Sequence, residues 1–361
     1  MKLKALLFTV LIQSAVFAQQ PVRIAIAGLS HGHVHWVFNR EGKNDIEIVG
    51  IYEEDEALAK KFQENYDLAP SLFYTDLDEM LKKTKPEAVS AFGAISEHLP
   101  VVEAAAPRGI HVMVEKPLAF DYDDALKIDK LAKQHNIKVI TNFETSWYSS
   151  NQYIGKLLQD GKLGAVRKVW VNDGHEGPKE IGVGEDFLGI LVDPEKNGAG
   201  ALVDFGCYGA NLMTWLMKGE KPVSVTAITN QNKPEIYKNV DDEATIILQY
   251  PKAQCVIQAS WNWPFSRKDM TVYGTKGFAT AKDATTVIER LDAKSSEEIK
   301  SLEPRPEPYA DPFSYLAAVV QEKIDPSEGL YGLPINLTVA QILDAAIRSA
   351  QTGKTIVLSE E

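Results

Sequence analysis

From Pro21 onward, short β-branched runs alternate with stretches whose apolar residues recur at helical spacing. The runs Val22–Ala27, Ile46–Tyr52, Ala88–Ala91, His111–Val114 and Lys138–Thr141 read as strands. Between them, residues 56–65, 76–83, 98–108 and 122–135 carry the i, i+3, i+4 apolar pattern of amphipathic helices. Thr75 or Asp76, followed by Asp78 and Glu79, supplies a helix start. Strand, helix and strand in strict succession predict a parallel, doubly wound sheet. Past Asn142 the rhythm changes. A helix over 149–160 is followed by strands in series, including 223–230, 244–250, 253–261 and 268–274, which predicts a second, mainly antiparallel sheet. The Pro-rich stretch 303–308 reads as a stiff connection before two closing helices. The expected fold class is α/β: an N-terminal Rossmann sheet over 21–141, an α/β domain with an open sheet over 142–330, and a closing helix and tail over 331–361 that pack back on the first domain.

The start of the chain has a different character. Lys2 and Lys4 precede an apolar run, Ala5 to Ala18, that is short for a membrane span and ends in small residues at Val16-Phe17-Ala18. Residues 1–18 are therefore expected to be a cleaved secretory signal, with the mature protein periplasmic or secreted. No other apolar run is long enough to cross a bilayer. Acidic residues outnumber basic ones 50 to 38, for a formal charge of −12, so the overall field repels nucleic acid and anionic lipid. Loss of Lys2 and Lys4 with the signal makes the remainder more acidic still. The two cysteines, Cys207 and Cys255, have no metal-ligand spacing, and a disulfide between them is permitted after export but not implied.

The first strand runs into Gly28-Leu29-Ser30-His31-Gly32-His33, where a dinucleotide fold places its phosphate loop. Gly28 stands at the first glycine position of that fingerprint; Ser30 and His33 replace the second and third, and Gly32 falls one residue early. The next strand ends in Glu53, a carboxylate placed to accept the adenosine ribose hydroxyls and to repel a 2'-phosphate, which favours NAD over NADP. An alternative is that Glu53 merely opens the solvated acidic run 53–56. His31, His33 and His35 raise the question of a metal, but a helix beginning here would splay them, and no later Asp, Glu and His cluster completes a ligand set, so none is expected.

A further strand runs directly into Glu115-Lys116-Pro117 at the carboxyl end of the sheet, where ligands of such folds bind. That triplet after Gly-x-His-Val resembles the signature of the glucose-fructose oxidoreductase and inositol dehydrogenase family, Gfo/Idh/MocA. The Gly-rich Gly198-Ala199-Gly200 stretch leading to Asp204-Phe205-Gly206-Cys207-Tyr208 resembles the family's Asp-x-Gly-x-His/Tyr helix start, in its tyrosine form, and Ile347–Lys354 is similar to the end of its last helix. The resemblance covers essentially the whole mature chain. It implies a nucleotide domain joined to a substrate and oligomer domain, and a homo-oligomer is expected. It also puts Lys116, Asp204 and Tyr208 on catalytic positions, with Glu115 and Lys116 beside the cofactor.

The chemistry those residues could support can be stated without the resemblance. Oxidising a sugar hydroxyl needs a hydride acceptor and a group that takes the proton. Tyr208 is the candidate, with Lys116 expected to lower its pKa and Asp204 to orient Lys116 or bind a hydroxyl. Asn211, on the same helix, could add a hydrogen bond. Structural alternatives are a helix cap for Asp204, packing for Tyr208 and a surface charge for Lys116. His175, Trp263 and Arg267 combine an imidazole, a flat indole and a guanidinium suited to a carbohydrate ring, although a tryptophan at a strand end can equally be packing. Because free NAD(H) is scarce outside the cytoplasm, an exported enzyme would have to retain its cofactor. The expected activity is oxidation of a sugar or glycoside hydroxyl; an NAD-dependent glycosidase working by transient ring oxidation, and a non-catalytic sugar-binding protein, are the alternatives.

Overall fold

The computed structural model describes residues 20–358; the expected signal, 1–18, lies outside them. Six strands, β1 (Val22–Ala27), β2 (Ile46–Tyr52), β3 (Phe73–Tyr74), β4 (Ala88–Ala91), β5 (His111–Glu115) and β6 (Val139–Asn142), form a parallel sheet in the order β3-β2-β1-β4-β5-β6. The connections contain α1 (His35–Phe38), α2 (Glu56–Tyr66), α3 (Leu77–Thr84), α4 (His98–Ala105) and α5 (Tyr122–His135). Asp55, Asp76 and Asp121 cap α2, α3 and α5 by accepting first-turn N–H groups, which is why each helix starts where it does. All four residues of β4 and of β6 are buried, as strands covered on both faces should be. The strand order reverses between β1 and β4, and their carboxyl ends open a crevice there.

After α6 (Ser149–Gln159) come β7 (Val166–Gly174), α7 (Glu185–Leu191), α8 (Pro194–Asn197), α9 (Ala201–Asp204) and α10 (Gly206–Leu216). A run of strands follows: β8 (Ser224–Asn230), β9 (Glu243–Gln249), β10 (Gln254–Ser260), β11 (Arg267–Gly274), β12 (Phe278–Ala281), β13 (Thr286–Arg290) and β14 (Glu298–Ser301). Then come α11 (Pro312–Val320), α12 (Leu333–Thr352) and β15 (Ile356–Val357). The second sheet runs β14-β13-β12-β11-β7-β10-β9-β8-β15, antiparallel except where β7 lies parallel to β10. Alternate residues of its strands, such as Val169, Val171, Cys255 and Ile257, pack with α10 and α12 in one core, while the other face is uncovered.

The closing helices divide their allegiance. Phe313 and Leu316 of α11 pack with Ile24, Ile26 and Phe92 on one face of the parallel sheet. In α12, Val339 and Ile342 join the core of the second domain, and Ala340 joins the other face of the first. Among the described residues no helix is long and apolar enough to cross a membrane.

Candidate active site

The crevice at the β1/β4 ends depends on two facing glycines. Gly28 has φ +81°, and a Cβ on it would stand 2.7 Å from the Gly93 nitrogen, so the two loops could not approach with any other residue there. Gly32 faces open space. The expected phosphate loop is followed not by a long helix but by one 3-10 turn, Gly32–Val34, and the single turn of α1. The His31 ring accepts the His33 N–H at 3.1 Å, and the Ser30 hydroxyl donates to the Phe92 carbonyl at 3.3 Å. Glu53 lies at the edge of the loop, where Oε2 accepts the Leu29 N–H at 2.9 Å and Oε1 the Asp55 N–H at 3.0 Å; burial raises its pKa. Each carboxylate oxygen keeps a lone pair for a ribose hydroxyl. The cleft continues over His31, Gly93, His98, Glu115 and Lys116 to Phe187 and Leu191 of α7, whose Phe187 ring packs 4.4 Å from that of His31. An open glycine loop, a ribose-facing carboxylate and a charged pair at the β5 terminus fit a dinucleotide.

His31 and His33 do not diverge as expected. The turn is too tight for that, and their rings lie 4.6 Å apart with both directed at Glu115. His33 Nδ1 is 3.0 Å and His31 Nε2 3.8 Å from Glu115 Oε2, so three ligand-type atoms do converge. The protonation chemistry opposes a metal here. Nδ1 of His31 accepts a backbone N–H, which leaves the proton of the neutral ring on Nε2, the nitrogen that would have to bind the ion. Burial keeps that ring neutral, its pKa well below the usual value. Glu115 also takes a 2.6 Å hydrogen bond from Asn142; burial pushes its pKa up, but His33, His31 and Asn142 outweigh that and bring it down to about 2.

Next to Glu115, at the end of the same strand, the buried Lys116 ammonium meets Asp204 at the end of α9, with Nζ 2.5 Å from Oδ1 and 3.1 Å from the Asp204 carbonyl. Asp204 Oδ2 accepts the Trp261 indole N–H at 3.0 Å. Burial penalises both charges, yet each stabilises the other enough to hold Lys116 above the usual lysine range and Asp204 below the usual carboxylate range. One helical turn on, Tyr208 is only 1% exposed. Here the structure corrects the expected acid–base poise. Burial first, then Glu144, pushes the Tyr208 phenol well above its ordinary pKa, and Lys116 faces the ring, 5.3 Å from its centre.

The remaining candidates separate. His175 accepts the Gly177 N–H and meets the Phe205 ring edge-on at 4.9 Å, with burial lowering its pKa. Trp263 donates to the Asp173 carbonyl at 3.3 Å and lies under the Arg267 guanidinium at 4.4 Å, while Arg267 pairs with Asp269. His175 thereby reaches the Phe205 ring that stacks on Tyr208, whereas Arg267, sharing a face of β11 with Asp269 and Thr271, turns to the open side of the sheet and away from the expected sugar site. Asn211 also turns away from Tyr208. Its amide donates to Leu330 O at 2.9 Å and to Asn336 Oδ1 at 3.2 Å, so it ties α10 to the chain entering α12; three residues beyond Tyr208, it is turned toward that helix rather than the cleft. Cys207 and Cys255 are buried free thiols, and burial raises Cys207 to about 12.

Three neighbours of Tyr208 escaped the sequence reading: Glu144, Asp173 and Lys268. Glu144 lies two residues past β6, at the same end of the sheet as Lys116 past β5, and that placement was the available signal. Asp173 and Lys268 become partners only through the register of β7 on β11.

Comparison with known proteins agrees with this architecture. Residues 22–143 match the oxidoreductase family with an NAD-binding Rossmann fold, and residues 151–280 match the GFO/IDH/MocA C-terminal domain. Trans-1,2-dihydrobenzene-1,2-diol dehydrogenase of Xenopus tropicalis is 26% identical over 234 residues, 64% of this chain and 66% of that one. An uncharacterised Synechocystis oxidoreductase is 28% identical over 196 residues, 54% of this chain and 50% of its own. The chain thus spans between half and two thirds of the length of these relatives. Aldose-aldose oxidoreductase from Caulobacter crescentus, solved with glycerol, superposes with a TM-score of 0.79 at 22% identity, covering 94% of this chain and all of that one. An inositol dehydrogenase homologue from Azotobacter vinelandii, solved with NAD+, gives 0.81 at 18%, covering 94% and 98%. With both halves matched, the chain belongs to the Gfo/Idh/MocA family of oxidoreductases, with an NAD-binding Rossmann fold as its first domain.

Proposed function

We propose that this oxidoreductase acts on a hydroxyl of a sugar or glycoside, outside the cytoplasm, with NAD kept in place between turnovers. The observation that carries the reading is the buried Lys116–Asp204 pair beside Tyr208, facing the crevice between the two sheets. Gly28, Ser30, His31, Gly32 and His33 would line the pyrophosphate, Glu53 the adenosine ribose, and Glu115 and Lys116 the nicotinamide end. NAD when bound supplies the hydride acceptor. The acidic run that begins at Glu53 opposes a 2'-phosphate, which supports NAD over NADP.

What the chain itself contributes is proton control. Lys116 stays protonated against Asp204 and donates to the reacting oxygen, stabilising the charge that develops there. Tyr208 enters the cycle as a neutral phenol, so it gives its proton to the oxygen when a carbonyl is reduced; oxidation requires that proton to leave first. His175, against the Phe205 ring that stacks on Tyr208, borders the space left for the sugar ring. The N-terminal Lys-flanked apolar run supports export, and retention of the nucleotide follows from its scarcity there.

The uncovered sheet face supports a homo-oligomer. Ile299, Ile288, Thr271, Trp170, Val256 and Ile247 lie in register across it without a charge, and Trp170 is 50% and Ile299 73% exposed. The test of function is to purify the exported protein, denature it and identify released nucleotide by mass, then incubate the native form with sugars and aryl glycosides. Stoichiometric NAD and an oxidised sugar are expected. Aglycone release with the nucleotide unchanged would indicate the glycosidase instead, and absence of NAD together with failure to bind it would refute the reading.

A further inference from the structure

Tyr208 is flanked by two ammonium groups, of which the sequence motifs contain one. Lys116 Nζ lies 5.3 Å and Lys268 Nζ 5.1 Å from the centre of its ring. Lys268 is the second residue of β11 and forms a close ion pair with Glu144. Glu144 in turn accepts the Tyr148 hydroxyl at 2.5 Å and stands 4.0 Å from His33 Nε2. The pair therefore bridges the phosphate loop and the second sheet beside Tyr208. Burial would raise the Glu144 pKa, but Lys268 and Tyr148 hold it below the usual carboxylate range, so Glu144 stays a carboxylate.

Beside Tyr208 each cation already has its anion: Lys116 has Asp204 and Lys268 has Glu144. Asp173, paired in register with Lys268 and fully buried, has no hydrogen-bond partner for either oxygen among the described residues. A sugar hydroxyl can accept from Lys268 and donate to Glu144 without separating them. A sugar carboxylate has to compete with Glu144 for Lys268 and be desolvated beside it.

We propose that the Lys268–Glu144 pair is a specificity determinant that makes the site take an uncharged polyol in preference to the acidic sugar of the same size. The position of the reacting hydroxyl rests on the oxidoreductase reading above; the charge preference is a binding property and can be measured apart from it.

The NAD-loaded protein is titrated calorimetrically at neutral pH with D-glucose and D-glucuronate, and with D-galactose and D-galacturonate, while formation of reduced nicotinamide is followed separately. Each neutral sugar is expected to bind at least about tenfold more tightly than its acid. Glu144→Gln, which leaves Lys268 unpaired, is expected to shrink that ratio about tenfold or reverse it, with nucleotide content retained. Lys268→Met is expected to weaken the neutral sugars without improving the acids. Equal or tighter binding of the acids by the unaltered protein, a ratio unmoved by Glu144→Gln, or no binding of either sugar class would each overturn the proposal. The expected ratio without hydride transfer would support it and count against the oxidoreductase reading alone.

Discussion

Replacing Asp204 by Asn removes one charge from a pair whose two side chains are each only 7% exposed. The Lys116 ammonium would then remain buried with an uncharged neighbour. Breaking a buried pair on one side costs about 3–5 kcal/mol, because the surviving ion loses its partner but not its desolvation penalty. Asp204 also takes the Trp261 indole N–H, and an Asn has one oxygen for these two donors, so its NH2 must face either Lys116 or Trp261 and the loss should fall at the upper end of that range. Lys116→Met leaves the complementary orphan, a buried carboxylate relieved only by Trp261, and should cost a similar amount. The double variant buries neither charge and should recover to within about 1–2 kcal/mol of the parent, since a neutral, well-packed replacement of a buried pair is often close to isoenergetic. Urea unfolding of the four proteins at neutral pH closes the cycle, with m values checked for constancy. A coupling below about 1 kcal/mol, with the two single losses simply adding, would refute the claim that these groups are a desolvated unit. The pH dependence gives a second check. Asp204 has a depressed native pKa, so its contribution is present above the unfolded value near 3.9 and vanishes as pH falls through the lower native one; Lys116 has a raised pKa, so its contribution is present below about 10.4 and vanishes as pH rises through the higher native value. The difference in stability between the parent and the double variant should therefore stay flat through neutrality.

Tyr208→Phe should lower turnover by at least about a hundredfold while nucleotide content and melting temperature hold, and in the parent the oxidation rate should keep rising into the alkaline range because the phenol is held up by burial; a plateau reached below neutral pH would contradict that protonation state. Asn211→Ala should cost about 1–3 kcal/mol in urea unfolding by leaving Asn336 Oδ1 without its donor and the Leu330 carbonyl with the Asn336 amide alone, with KM for sugar unchanged; an altered KM at unchanged stability would return Asn211 to the substrate site. Trp170→Lys should shift the sedimentation coefficient of the native protein to that of a single chain, and an unmoved coefficient would show that the open face is not the contact.

The sequence by itself determined five of the six strands and the four longer helices of the nucleotide domain, missing only the two-residue β3 and the single turn of α1, and the reason is local. Strands buried on both faces, such as Ala88–Ala91, are short and carry no charge, and helices such as Tyr122–His135 keep one apolar side, so each carries its own mark in the order of residues. Glu115-Lys116-Pro117 and Asp204–Tyr208 were legible for the same reason, each being a compact run at an element boundary. Charge state was not legible. Whether Lys116 activates Tyr208 depends on where the ammonium points and how deeply the phenol is buried, and the fold answers with a ring-facing contact and a raised phenol pKa. Nor could helix position say which way Asn211 turns, because its partners lie more than a hundred residues downstream. The Lys268–Glu144 pair was beyond any reading of spacing: 124 residues separate the two. Only the tertiary structure, which sets β11 against β7 and turns the chain after β6 toward the second sheet, brings the two charges within reach of each other, and Coulomb attraction in a site shielded from water then holds them there.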